Sequence, residues 1–138
     1  MIYISVAKEL SFSAAAYDYA VMLARYLGGV EVPGWLGNIG RFERNIKSIE
    51  SGIWKMHIKA LTDRPWADTV MLHERKSDNY LIYAQHWCYV EHYQIIGIVI
   101  PDAHIMSDKL LPGLIKSVES TFQYLNESGL KLLNHITV

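Results

Sequence analysis

Two hydrophobic rhythms run along the chain. Alternation is clearest from Trp54 to Ala60: Trp54, Met56, Ile58 and Ala60 fall on one face and Lys55, His57 and Lys59 on the other, as in a half-buried strand. Residues 2–6, 69–73, 80–86 and 92–100 read as further strands, with Arg75-Lys76-Ser77-Asp78-Asn79 as the turn before 80–86. Residues 95–100 are apolar on both faces apart from Gly97, which predicts a strand inside the sheet. Helical spacing occurs twice. From Ser11 to Leu27 the apolar positions are Phe12, Ala16, Tyr19, Leu23 and Leu27, and Gly28-Gly29 closes the segment with a glycine C-cap. Pro101 stops the last strand, and a second helix is expected from Asp108, with Pro112 close enough to its first turn to be tolerated and Leu111, Leu114, Ile115, Val118, Phe122 and Leu125 as its buried stripe. Gly34, Gly37 and Gly40 recur at every third position without the Gly-Lys-Ser/Thr ending of a phosphate loop, so turn chemistry is expected there.

This order predicts an α+β fold: a small antiparallel sheet with an N-terminal helical region and a C-terminal helix, the helices packed on one side. The other face, with Lys55, His57 and Lys59, is expected to lie open to solvent. The length of 138 residues suits one domain over 1–138, with 126–138 as an extra tail that docks or frays. With 51% hydrophobic and 20% charged residues the chain is globular, and no apolar run spans a bilayer. The N-terminus lacks the basic region of a secretory signal, so a cytoplasmic protein without membrane contact is expected. Cys88, the only cysteine, excludes an internal disulfide and any multi-cysteine zinc site, and its aromatic neighbours suggest a buried, inert thiol.

A net charge of −1 gives no global attraction to nucleic acid, but the charges are unevenly spread. Residues 41–76 hold eight of the 13 Lys and Arg against five acids, whereas 77–138 hold three against six. A polyanion would therefore meet the middle of the chain, at Arg41, Arg44, Lys55, Lys59 and Lys76. Metal-free RNA cleavage, in which a 2′-hydroxyl attacks its own phosphate, needs a proton acceptor, a proton donor and a cation beside the phosphorane. His57 between two lysines, His104 beyond the central strand, Arg75-Lys76 at a turn and Tyr83 within a strand are the residue types for those tasks. Each also has a structural reading: a solvated strand histidine, a soluble turn, a core tyrosine, or a helix-start histidine bonded to Asp102 or Asp108. Asp102 and His104 are close enough in sequence to suggest a metal site, but no His-Glu-x-x-His or cysteine-based spacing occurs, and no cofactor or metal is expected.

Taken together, the first helix with Gly29-Val-Glu-Val-Pro33-Gly-Trp-Leu-Gly37, then Trp54-Lys-Met-His57-Ile, Arg75-x-x-Asp78, Leu81-Ile-Tyr83-x-Gln85 and Ile100-Pro-Asp-Ala-His104 resemble the YafO-type toxins of bacterial type II toxin–antitoxin systems, grouped with the RelE-like toxins. The resemblance runs from about Ala14 to Leu125. It implies a RelE-like fold and a metal-independent mRNA interferase that cuts messages during translation, with the ribosome, translated mRNA and a cognate antitoxin as partners. It implies His104 as general acid or base, His57 as its counterpart or a phosphate contact, Arg75 as the transition-state cation, Tyr83 as a further site residue, and Asp78 as a support that orients Arg75 or caps the turn. Two rivals stand beside it. A toxin on the same scaffold could poison a protein such as gyrase, and a non-catalytic module could use Trp35, Trp66 and Trp87 as a partner surface.

Overall fold

A computed structural model describes residues 1–138. The elements are β1 (Tyr3–Val6), α1 (Ala14–Leu27), β2 (Leu36–Gly40), α2 (Ile46–Glu50), β3 (Ile53–Ile58), β4 (Tyr80–Gln85), β5 (His92–Val99), α3 (Ala103–Val118), α4 (Glu127–Lys131) and β6 (Ile136–Thr137). The six strands form one sheet in the order β2-β3-β4-β5-β1-β6. Every pairing is antiparallel except β1 with β5, so the α+β class holds with one parallel pair in a mostly antiparallel sheet. β5 lies inside the sheet, flanked by β4 and β1, as its two-sided apolar sequence requires.

The helices do not share one side. Alternation in β3, β4 and β5 splits their apolar residues between two cores. Met56, Ile58, Leu81, Tyr83 and Ile95 pack with Tyr19, Ala20, Leu23 and Ala24 of α1. Ile53, Tyr80, Ile82, Ala84, Ile96 and Val99 pack with Leu111 and Val118 of α3 and with Phe122. The expected open face is therefore covered by α3 along much of its length, and only the end at Lys55 and His57 stays partly accessible, over a buried Tyr80. Each helix carries a buried stripe that needs apolar cover, and each face of the sheet supplies it for one helix.

Five local expectations are corrected by tertiary contacts. The glycine-rich stretch is an edge strand, β2, because a Cβ on Gly37 would lie 2.6 Å from the Arg75 carbonyl and 2.9 Å from the His57 carbonyl. Residues 69–73 form no strand; a short 3₁₀ turn covers Leu72–Glu74, and the Val70 carbonyl accepts from the Arg75 side chain instead of a ladder. The second helix starts at Ala103 rather than Asp108, which leaves Pro112 inside it. Phe12 precedes α1 and is exposed, the N-cap being Ser13, whose Oγ accepts from the Ala16 N–H at 3.2 Å. Cys88 is also exposed: His86 turns inward instead, its Nδ1 accepting the N–H groups of Cys88 and Tyr89, both at 3.1 Å.

The tail beyond Asn126 docks. Leu130 of α4 is fully buried in the α3 core, and β6 pairs with β1 through Tyr3 and Ile4. No helix is long and apolar enough to cross a membrane.

Candidate functional site

β3 and β4 present their α3-side residues as a ladder: Ile53 opposite Ala84, Lys55 opposite Ile82, and His57 opposite Tyr80. The inner end of this ladder disappears under α3. Its outer end opens into a cleft of about 1210 Å³ bounded by residues 38–45, Lys55, His57, Lys76, Ser77, Tyr80, His104, Ser107 and Asp108. Three separate stretches of chain thus meet there: the β2–α2 connection, the β3–β4 ladder with the turn before it, and the start of α3.

Two imidazoles sit together at the centre. The His57 and His104 rings are 6.1 Å apart, and Tyr80 packs against both, at 5.2 and 5.1 Å. His57 Nδ1 is held by Ser77, accepting its backbone N–H at 2.9 Å, while the Ser77 carbonyl lies 2.7 Å from the same nitrogen. Ser77 therefore partners the ring when Nδ1 is bare and when it carries hydrogen. Burial pushes the His57 pKa below its ordinary 6.5, the Ser77 carbonyl opposes that, and Lys55, His104 and Lys76 add to the lowering. His104 is anchored by Asp78, whose Oδ1 accepts the His104 backbone N–H at 2.9 Å and contacts Nδ1 at 2.5 Å. These contacts hold the Asp78 carboxyl below its ordinary range, the backbone bond first and the imidazole bond second. On each ring Nε2 has no protein partner.

The cations divide. Lys55 Nζ lies 5.0 and 4.9 Å over the rings of Phe42 and Tyr80, and burial lowers its pKa against the pull of Glu43 and Asp108. Lys76 and Arg44 line the cleft from exposed positions. Arg41 also borders it, but its guanidinium lies 3.4 Å over the Trp54 ring and donates to the Ile49 carbonyl. Lys59 is outside, 5.0 Å from the Trp66 ring.

Arg75 and Tyr83 are not brought to the cleft. Arg75 is 2% exposed and donates to the carbonyls of Val70, Pro33, Leu36 and Ala67, so it staples loops rather than facing solvent. Asp78 pairs with His104, not with Arg75. Tyr83 is also 2% exposed and lies in the α1 core, where burial raises its pKa well above the ordinary tyrosine value and no face of the ring reaches the cleft. Strand parity explains the division: Tyr80 and Tyr83 are three residues apart on one strand and so face opposite sides. Tyr80, Phe42, Ser77 and Ser107 are among the lining residues that sequence reasoning passed over. The pairing of His57 with the first residue of β4 could have pointed to Tyr80, but nothing local marks Ser107, whose buried hydroxyl has no partner.

The family described as toxin YafO of type II toxin–antitoxin systems matches residues 24–124. That range contains β2 to β5, the whole cleft and all of α3, and leaves out β1, β6 and most of α1. No curated protein and no solved structure matches the chain.

Proposed function

This chain belongs to the YafO toxin family of type II toxin–antitoxin systems, and on that premise we propose that it is a ribosome-dependent mRNA endoribonuclease working without a metal. Membership of the family implies a cognate antitoxin as partner; the ribosome and its mRNA are the further partners of this proposal. The observation that carries it is the convergence of His57 and His104, rings 6.1 Å apart with unpartnered Nε2 atoms, on a cleft bordered by Lys55, Lys76 and Arg44.

In the proposed reaction the 2′-hydroxyl oxygen attacks the adjacent phosphorus as the bond to the 5′-oxygen breaks. His57, kept neutral near pH 7 by burial and neighbouring cations, takes the 2′-proton on Nε2. His104 gives a proton from Nε2 to the departing 5′-oxygen, leaving a 2′,3′-cyclic phosphate and a free 5′-hydroxyl. Lys55 and Lys76 meet the charge that builds on the phosphorane, the part first expected of Arg75. Tyr80 and Phe42 form the apolar floor that holds Lys55 and the two imidazoles in place.

New mRNA 5′ ends mapped within minutes of induction test this directly. Wild type is expected to create cuts inside translated regions, and a stably folded His57→Ala/His104→Ala double variant none. Growth arrest by wild type without new ends would sink the ribonuclease reading and favour a protein target.

A further inference from the structure

We infer that Asp78 is a positioning residue: its carboxylate fixes which nitrogen of His104 can exchange a proton with RNA, and the same residue builds the helix start that carries His104. This deepens the ribonuclease reading and rests on it.

The start of α3 is unusual. Asp102, at the N-cap position, has a left-handed φ of 61° and its side chain caps nothing. Asp78, from the turn before β4, supplies the missing acceptors instead. Its carbonyl takes the Ala103 N–H at 3.0 Å and its Oδ1 takes the His104 N–H at 2.9 Å. The first two helical N–H groups are thus satisfied from 25 and 26 residues away, so the position of His104 is set by the turn before β4 rather than by its own loop.

The same Oδ1 contacts His104 Nδ1 at 2.5 Å. An ionised carboxylate has no hydrogen to give and can only accept. Nδ1 therefore carries a hydrogen whether the ring is neutral or cationic, and Nε2 is the one nitrogen through which a proton passes. His57, by contrast, is held by a residue that offers both an N–H and a carbonyl to its Nδ1. One imidazole of the pair is committed to a single tautomer, and the other is free to change.

The experiment compares wild type, Asp78→Asn and Asp78→Ala by ¹⁵N NMR of the histidine side chains and by single-turnover cleavage of mRNA positioned on ribosomes. In wild type, neutral His104 should show hydrogen on Nδ1. In Asp78→Asn, which keeps a side-chain acceptor for the helix start but loses the charge, the neutral ring should redistribute toward hydrogen on Nε2. The maximal cleavage rate should fall by roughly 10², the scale of losing one well-placed general acid–base group, with half-saturating toxin concentration unchanged within about twofold. Asp78→Ala should add faster hydrogen exchange at the His104 amide. An Asn variant that keeps the wild-type tautomer or the wild-type rate overturns the proposal. If wild type itself fails to cut mRNA, the ribonuclease reading falls, yet the tautomer comparison still decides whether Asp78 orients His104.

Discussion

His57 owes its character to position. Its alternation with Lys55 is plain in the sequence, but the consequence for its charge comes from burial, which outweighs the Ser77 carbonyl and acts with Lys55 and Lys76 to keep the ring neutral. In its proposed role of proton acceptor it must be unprotonated, so the acid limb of the proposed cleavage should lie below pH 6.5, the ordinary histidine value. Lys55→Met or Lys76→Met removes a cation that disfavours the imidazolium, so either change should move that limb upward as well as slow the reaction; a pH–rate profile from pH 5 to 8 checks both. An acid limb insensitive to both lysines would mean that His57 is not the group being titrated. Of the residues singled out from sequence, His57, His104, Lys55, Lys76 and Arg44 reach the cleft, with Arg41 at its border, because charged and polar side chains at exposed ends stay where water or an anion can solvate them. Arg75 and Tyr83 do not, and the residue types could not reveal it. A guanidinium facing four carbonyls and one facing a phosphate have the same one-letter code.

At the scale of elements, Arg75 is a staple. It joins the 33–36 segment ahead of β2 to the 67–70 segment ahead of the 3₁₀ turn, and its own carbonyl accepts the Asn38 N–H at 2.9 Å. Removing it leaves several carbonyls without donors in a buried place. Arg75→Ala should therefore cost about 2–4 kcal/mol of folding stability, visible as a lower Tm, and any loss of toxicity should track unfolding. A stably folded Arg75→Ala protein with wild-type Tm and lost cleavage would instead restore Arg75 to the chemistry. The elements most visible in the sequence are α1 and β3, whose apolar spacing marks the face they bury, and β4 and β5, whose runs are apolar on both faces. β2 was hidden because its glycines serve a close backbone approach, and the start of α3 was displaced because its cap comes from Asp78, far away in sequence. Both depend on contacts that no local window contains.

Across the whole molecule, a second group of histidines ties the ends of the chain together, away from the cleft. Tyr3 stacks on His92 at 4.5 Å, His135 meets His92 at 5.1 Å, and His86 is bonded to the Leu125 carbonyl at 3.1 Å. Burial pushes all three histidine pKa values below 6.5, and His92 and His135 are further neighbours in charge. Unfolding frees them to take up protons, so their contribution to stability is complete above pH 6.5 and is lost as pH falls toward their folded values. Thermal melts between pH 7.5 and 5 should show Tm falling with acid, and His92→Phe/His135→Phe should flatten the slope; an unchanged slope would refute the assignment. What the sequence by itself determined is the set of faces: alternation and helical spacing define which residues turn inward, and charge distribution marks the middle of the chain as cationic, because these follow from periods of two to four residues. What only the tertiary structure decided is which faces meet. The closing of both sides of the sheet by helices, the burial of Arg75, and the pairing of Asp78 with His104 are long-range choices, made by whichever packing satisfies the most apolar surface and buried polar groups at once.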